Sequence, residues 1–160
     1  MNIIVRRFRQ EDAKEVSDLI IHTLRTTNIK DYSEETIGNI ACQFTPEKVI
    51  ERAGWTHFYV FCDGERIVGC GAIGPYWGSE TESSLFNIFV HPACQGKGIG
   101  RLIIKTLEAD EYARRASRIE IPASITGCQF YRKLGYDYKN GINALDADQH
   151  YRLEKFKDPE

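Results

Sequence analysis

The sequence has no C-x-x-C pair. Its five cysteines, Cys42, Cys62, Cys70, Cys94 and Cys128, are odd in number and widely spaced. That argues against a disulfide framework and a zinc site, and for free thiols in a reducing cytoplasm. The four histidines are scattered and suggest no metal set. No apolar run approaches the roughly 18 residues that span a bilayer. The start, Met1 to Arg7, sets its apolar residues before its arginines, the reverse of a secretory signal. A cytoplasmic protein without membrane contact is expected. Neither sign of charge dominates, since 21 Lys and Arg face 23 Asp and Glu for a net charge of −2. Without a basic field to grip a phosphate backbone, nucleic acid is not an expected partner. Repeats, low-complexity tracts and Pro-, Gly- or Ser-rich linkers are also missing, so one domain over residues 1–160 is expected.

What is there has the pattern of a packed α/β protein. Residues 3–8 are rich in β-branched types and predict a strand. Val16, Leu19, Ile20 and Leu24 recur at helical spacing and predict a helix over 11–24. Ser33 before two glutamates and Thr45 before Pro46 are start signals for helices over 34–43 and 46–53. Aromatic and β-branched residues over 56–62 and 66–73 flank Asp63-Gly64, a hairpin signal. A strand over 83–91, a helix over 98–115, a strand over 118–122, a helix over 125–134 and strands at 136–138 and 151–156 complete the order. Helices on the faces of a mixed sheet are the expectation.

The most informative segment is Val90-His91-Pro92-Ala93-Cys94-Gln95-Gly96-Lys97-Gly98-Ile99-Gly100. A strand runs into a glycine-rich turn that opens a helix. The start of a helix carries unpaired N–H groups and partial positive charge, and glycine lets that backbone approach an anion. The segment is not a P-loop, because Gly100-Arg101-Leu102 replaces the required Gly-Lys-Ser/Thr. It is not the dinucleotide fingerprint either, because Gly96, Gly98 and Gly100 are spaced two apart and lie late in the chain.

Gln-x-x-Gly-x-Gly after Val-x-Pro resembles the acyl-CoA motif of the GNAT superfamily of N-acetyltransferases, with Gln95, Gly98 and Gly100 at its fixed positions. A second segment, Ser124 to Tyr136, resembles that family's later motif through Phe130, Tyr131, Gly135 and Tyr136; Ser124 and Gly127 stand where asparagine and alanine are usual. The resemblance implies a central mixed, mostly antiparallel sheet of about six or seven strands with helices on both faces. It implies acetyl-CoA as cosubstrate, no metal, and transfer to a primary amine by direct attack in a ternary complex. The acceptor is then a small amine or a protein amino group, and a homodimer fits the family's habit. The cosubstrate would meet Phe89, Val90, Gln95, Gly96, Lys97, Gly98, Ile99, Gly100, Arg101 and Ser124.

The resemblance also places Tyr131 as the acid that protonates the departing thiolate. Where some relatives carry a basic glutamate, this chain has Ser84, and Glu82, two residues earlier on the same strand face, is the nearest acidic substitute. Cys94 with His91 nearby is the pair that a ping-pong mechanism would need. The acceptor is expected between residues 25–45 and 137–150, which carry Asp31, Glu34, Glu35, Asp137, Asp146 and Asp148, with Tyr32, Tyr76 and Trp77 as candidate walls. The alternative is a non-catalytic acyl-CoA-binding sensor or scaffold.

Overall fold

The computed structural model describes residues 1–157. Seven strands form one sheet in the order β1-β2-β3-β4-β5-β7-β6: β1 Ile3–Arg7, β2 His57–Asp63, β3 Arg66–Pro75, β4 Glu82–Val90, β5 Arg118–Ala123, β6 Asp137–Tyr138 and β7 Tyr151–Phe156. Every pair is antiparallel except β4 with β5. The expected mixed, mostly antiparallel sheet is therefore present, with helices on both faces.

On one face lie α1 Ala13–Thr26, α2 Glu34–Ala41 and α3 Pro46–Ala53. The stripe Val16, Leu19, Ile20 and Leu24 is buried with Phe58, Val60, Ile67 and Ala72 of the sheet. Both cap signals operate: Ser33 Oγ accepts from Thr36 N at 3.1 Å and Thr45 Oγ1 from Lys48 N at 3.3 Å. On the other face lie α4 Ile99–Glu108, α5 Glu111–Arg114 and α6 Cys128–Lys133. Ile99, Ile103 and Leu107 of α4 are buried there beside Leu85 and Ile121. Each such side chain contributes about 1.5–3 kcal/mol by leaving water.

Two helices differ from expectation. The helix over 98–115 is two, because Asp110 is extended (φ −70°, ψ 156°) and caps α5 by accepting from Tyr112 N at 2.8 Å. Its buried carboxylate also takes the Tyr59 hydroxyl at 2.6 Å and touches His57 Nδ1 at 2.9 Å, so three groups hold the break in place. The last helix begins only at Cys128, because Gly127 N first donates to Ser124 Oγ at 3.0 Å in a preceding turn.

One irregularity positions the site. The parallel pairing of β4 and β5 covers only Glu82–Ser84 against Arg118–Glu120. Beyond it the strands part. On β4's other side, Cys70 pairs with Phe89 and Ala72 with Phe86, so two steps on β3 match three on β4. The extra residue lies at Asn87, whose φ is +55°. Asparagine enters that left-handed region more readily than most residues. Such a bulge bends and twists its strand, and it lies just past the point where β4 leaves β5. The Cys70 thiol donates to the Asn87 carbonyl at 3.2 Å and pins the bulge from behind.

Candidate active site

The parting of β4 and β5 opens a cleft of about 1120 Å³ through the sheet. One end is the glycine loop and the start of α4. The middle is Leu85–Val90 facing Ile121, Ser124 and Tyr131. The far end is lined by α1, α2, Arg52 and residues 147–150.

At the loop end, the Gln95 side-chain amide donates to Thr27 Oγ1 and to the Val90 carbonyl, both at 3.2 Å. It ties the loop to the ends of α1 and β4. Gly98 caps α4 with φ +84°, and Gly96 has φ +76°. A side chain is strained at either angle. A Cβ added at either position would meet no protein atom within 4 Å, so the space before them is open. The first turn of α4 holds no acid, and its first backbone bond runs from Leu102 N to the Gly98 carbonyl. The N–H groups of Ile99, Gly100 and Arg101 therefore lack helical acceptors. Open glycine backbone, unpaired N–H donors and a partial positive charge give a cradle suited to an anion such as a diphosphate. Gly96, Gly98, Ile99, Gly100 and Arg101 all line the cleft; Lys97 is exposed and does not.

In the middle, Phe89 and Val90 line the cleft just beyond the bulge. Ser124 lines it too, but its hydroxyl is engaged as the acceptor for Gly127 N. Gly127 explains its own departure from alanine: a Cβ there would lie 3.0 Å from Tyr131 Cε2 and 3.3 Å from Ser124 Oγ. The tyrosine ring packs directly on the bare backbone. Tyr131 is 8% exposed. Burial pushes its hydroxyl well above the ordinary tyrosine value, and no hydrogen bond offsets this. The phenol is thus a protonated donor at neutral pH, with no hydrogen-bond partner for its hydroxyl among the described residues.

Several candidate groups are engaged elsewhere. Glu82 lies outside the cleft. It stands where β4 still pairs with β5, and Arg118 Nε and Nη2 hold its carboxylate at 3.0 and 2.9 Å. Its carboxylate is ion-paired there and does not line the cleft. Ser84 is buried in the same paired stretch, with its hydroxyl on the Leu85 carbonyl at 3.3 Å. Cys94 lines the cleft, but the ring nitrogens of His91 face Ala93 N at 3.0 Å and Arg66 Nη2 at 2.9 Å, which leaves the thiol without a base. Burial pushes the Cys70 thiol up to about 12, so it is inert as a nucleophile.

The segments expected to flank the acceptor do meet at the far end. The Tyr32 hydroxyl accepts from Ile125 N at 2.8 Å and donates to the Gln149 carbonyl at 3.0 Å, joining three segments around the cleft. Tyr76 and Trp77 are not part of it: Tyr76 lies under Arg118 at 4.8 Å, and Trp77 is 87% exposed. Asp31 is taken by Thr126 Oγ1 and Asp146 by Arg152, which leaves Asp148 as the carboxylate among the lining residues.

His150 was missed by sequence reasoning. It lines the cleft, and Asp146 Oδ1 holds its backbone N–H at 2.9 Å. Burial lowers its pKa below 6.5, against the pull of Asp146. It is a neutral imidazole in the cleft. A lone histidine in a polar loop carries no spacing signal that could have found it.

Residues 54–138 match the sequence profile of the acetyltransferase (GNAT) domain, which is more than half of the chain. The chain belongs to the GNAT acetyltransferase family. Among curated proteins none is significantly similar in sequence. Solved structures share the fold at low identity. The GNAT chain matches the PaiA N-acetyltransferase of Thermoplasma acidophilum, solved with coenzyme A, at 17% identity and a TM-score of 0.82, over 98% of this chain and 100% of that one. It matches a GNAT family acetyltransferase of Brucella melitensis, solved with acetyl-CoA, at 20% identity and a TM-score of 0.68, over 99% and 90% of the two chains. Among the described residues, no helix of this GNAT protein is long and apolar enough to cross a membrane.

Proposed function

We propose that the protein is a one-domain N-acetyltransferase that moves the acetyl group of acetyl-CoA to a primary amine. The observation that carries this reading is the protonated, unclaimed Tyr131 hydroxyl in a cleft whose other end is a glycine-cradled helix start. The acceptor is a small amine or a protein amino group.

Bound acetyl-CoA supplies an activated thioester. Gly98 and the first amides of α4 hold its diphosphate, and Gln95 fixes the loop that carries them. The β4 backbone at Phe89 and Val90 aligns the arm that carries the thioester. The acceptor ammonium must lose a proton before it attacks, because an alkylamine has a pKa near ~10.4. His150, held neutral by burial, accepts that proton directly or through water. Tyr131 then gives its proton to the departing sulfur.

A thermal melt with acetyl-CoA, against ATP and NAD as controls, tests the cosubstrate. At 100 times the dissociation constant, acetyl-CoA is expected to add about 2.7 kcal/mol. Gly98→Val should remove most of that gain, because the new side chain occupies the diphosphate space and strains the φ of +84°. An undiminished shift in Gly98→Val would dismiss the loop assignment.

The base is tested by pH. His150 must be neutral to act, so activity falls as pH drops through its lowered pKa. The acid limb of kcat/KM is expected below pH 6.5. His150→Gln should cost about 10²-fold in kcat and abolish that limb. Glu82→Gln should leave kcat unchanged. The reverse pattern would return the role to Glu82. A second reading, a non-catalytic acyl-CoA-binding module, draws on the lack of a carboxylate base at Glu82 and Ser84. Release of free CoA with a panel of amines excludes it.

A further inference from the structure

The arginines of this protein differ in what faces them. Arg6, Arg118, Arg132 and Arg152 each have a carboxylate within 4.0 Å. Arg52, at the end of α3, is half-buried and has none among the described residues. Its guanidinium packs against a pair of aromatic rings, 5.4 Å from the centre of Trp55 and 5.2 Å from that of Phe86, which themselves meet edge to face at 5.2 Å. Its one side-chain hydrogen bond is a long contact of 3.4 Å to Asn87 Oδ1, at the bulge of β4. Burial disfavours its charged form, and Glu51 opposes this only from a distance.

The location gives this a meaning. Arg52 lines the cleft at the acceptor end, beside the neutral side chains Asn39 and Gln43. Arg152, also there, is neutralised by Asp146 and Glu120. Arg101 belongs to the opposite, diphosphate end. Among the described residues that line this end, Arg52 is thus the cation with no carboxylate within 4.0 Å; Asp148, the carboxylate in the lining, is not paired with it, and a single long hydrogen bond leaves most of its N–H groups unclaimed. A guanidinium so presented matches a carboxylate in two-point geometry.

We propose that the acceptor is an amine that also carries a carboxylate, and that Arg52 binds this carboxylate while the amine reaches the acetyl group. This inference rests on the transferase reading. Arg52 positions the acceptor and takes no part in proton transfer.

The test uses matched pairs: glycine and glycinamide, β-alanine and its amide, lysine and lysinamide. Release of free CoA is followed for the natural protein, Arg52→Gln and Arg52→Lys. Amino acids are expected to exceed their amides in kcat/KM by about 10–100-fold, the worth of a hydrogen bond to a charged group. Arg52→Gln should erase that ratio by lowering use of the acids far more than use of the amides, and Arg52→Lys should restore part of it. A merely structural arginine would lower both members of each pair together. Equal use of acids and amides, or a ratio that survives Arg52→Gln, overturns the inference and leaves the transferase reading standing. If no amine releases CoA although acetyl-CoA binds, the transferase reading fails instead. The inference is then read by melting the CoA-loaded protein with the N-acetylated acids and amides. A shift with acids alone that Arg52→Gln loses upholds an anion site, and no such shift overturns it.

Discussion

Tyr131→Phe is expected to lower kcat by about 10²–10⁴-fold, the range for losing a general acid, while the affinity for acetyl-CoA stays unchanged. The separation follows from how the ring is held. Its edge packs against the bare backbone of Gly127, and Phe130 meets it at 5.3 Å in a T-shaped contact. Phenylalanine keeps both contacts. The hydroxyl takes no hydrogen bond from the protein that shifts it, so its removal leaves no orphaned partner inside. What is lost is one proton, presented in a site that holds it firmly at neutral pH. Single-turnover rates with an excess of amine, together with a titration of acetyl-CoA binding, separate the two effects. A variant as fast as the natural protein would strip Tyr131 of the acid role and leave it as packing.

The largest loss of stability is expected from Arg118→Met. Arg118 is 8% exposed and reaches three carboxylates: Glu82 at 2.9 Å, Glu120 at 3.1 Å and Glu154 at 3.1 Å. Glu120 is 1% exposed. Removing one partner of a buried pair costs about 3–5 kcal/mol, because the other charge stays behind without compensation. Lys139 at 2.8 Å and Arg152 at 3.3 Å still face Glu120, which points to the lower end of that range. At roughly 2–4 °C per kcal/mol for a chain of this length, the midpoint should fall by about 6–12 °C. Urea titration should give the same ordering. A loss below about 1 kcal/mol would mean that the cluster behaves as a solvated surface network. Arg118 also lies in the three-residue stretch where β4 and β5 pair and holds the carboxylate of Glu120 at its last pair, so the variant should bind acetyl-CoA more weakly as well.

Much of this architecture was legible in the sequence because it rests on local patterns. The stripe of α1, the caps at Ser33 and Thr45, and the Asp-Gly hairpin all act over a few residues, and all three formed. The glycine motif was legible because backbone angles and an open helix start need glycine at fixed positions. What escaped depends on distant partners. Asp110 reads as one polar residue in a helical run until Tyr59 and His57, from another strand, are seen to fix it. Glu82 has the right alternation to face the cleft, yet Arg118, thirty-six residues away, sits on it. His150 and Arg52 stand out only through what surrounds them: burial disfavours the charged imidazole of one, and the other has no carboxylate within 4.0 Å among the described residues.

The short pairing of β4 with β5 has one more consequence. Past Ser84, neither strand has a strand partner on that side among the described residues, as at the rim of a sheet. Rims of that kind invite pairing with foreign chains, and proteins commonly blunt them with lysine, proline or a covering element. Here the two rims face one another in the interior, beside Leu85 and Ile121, which are 0% and 2% exposed. The chain thus keeps an unpaired, strand-shaped gap in its own interior, on the wall of the cleft, where a slender extended molecule can lie.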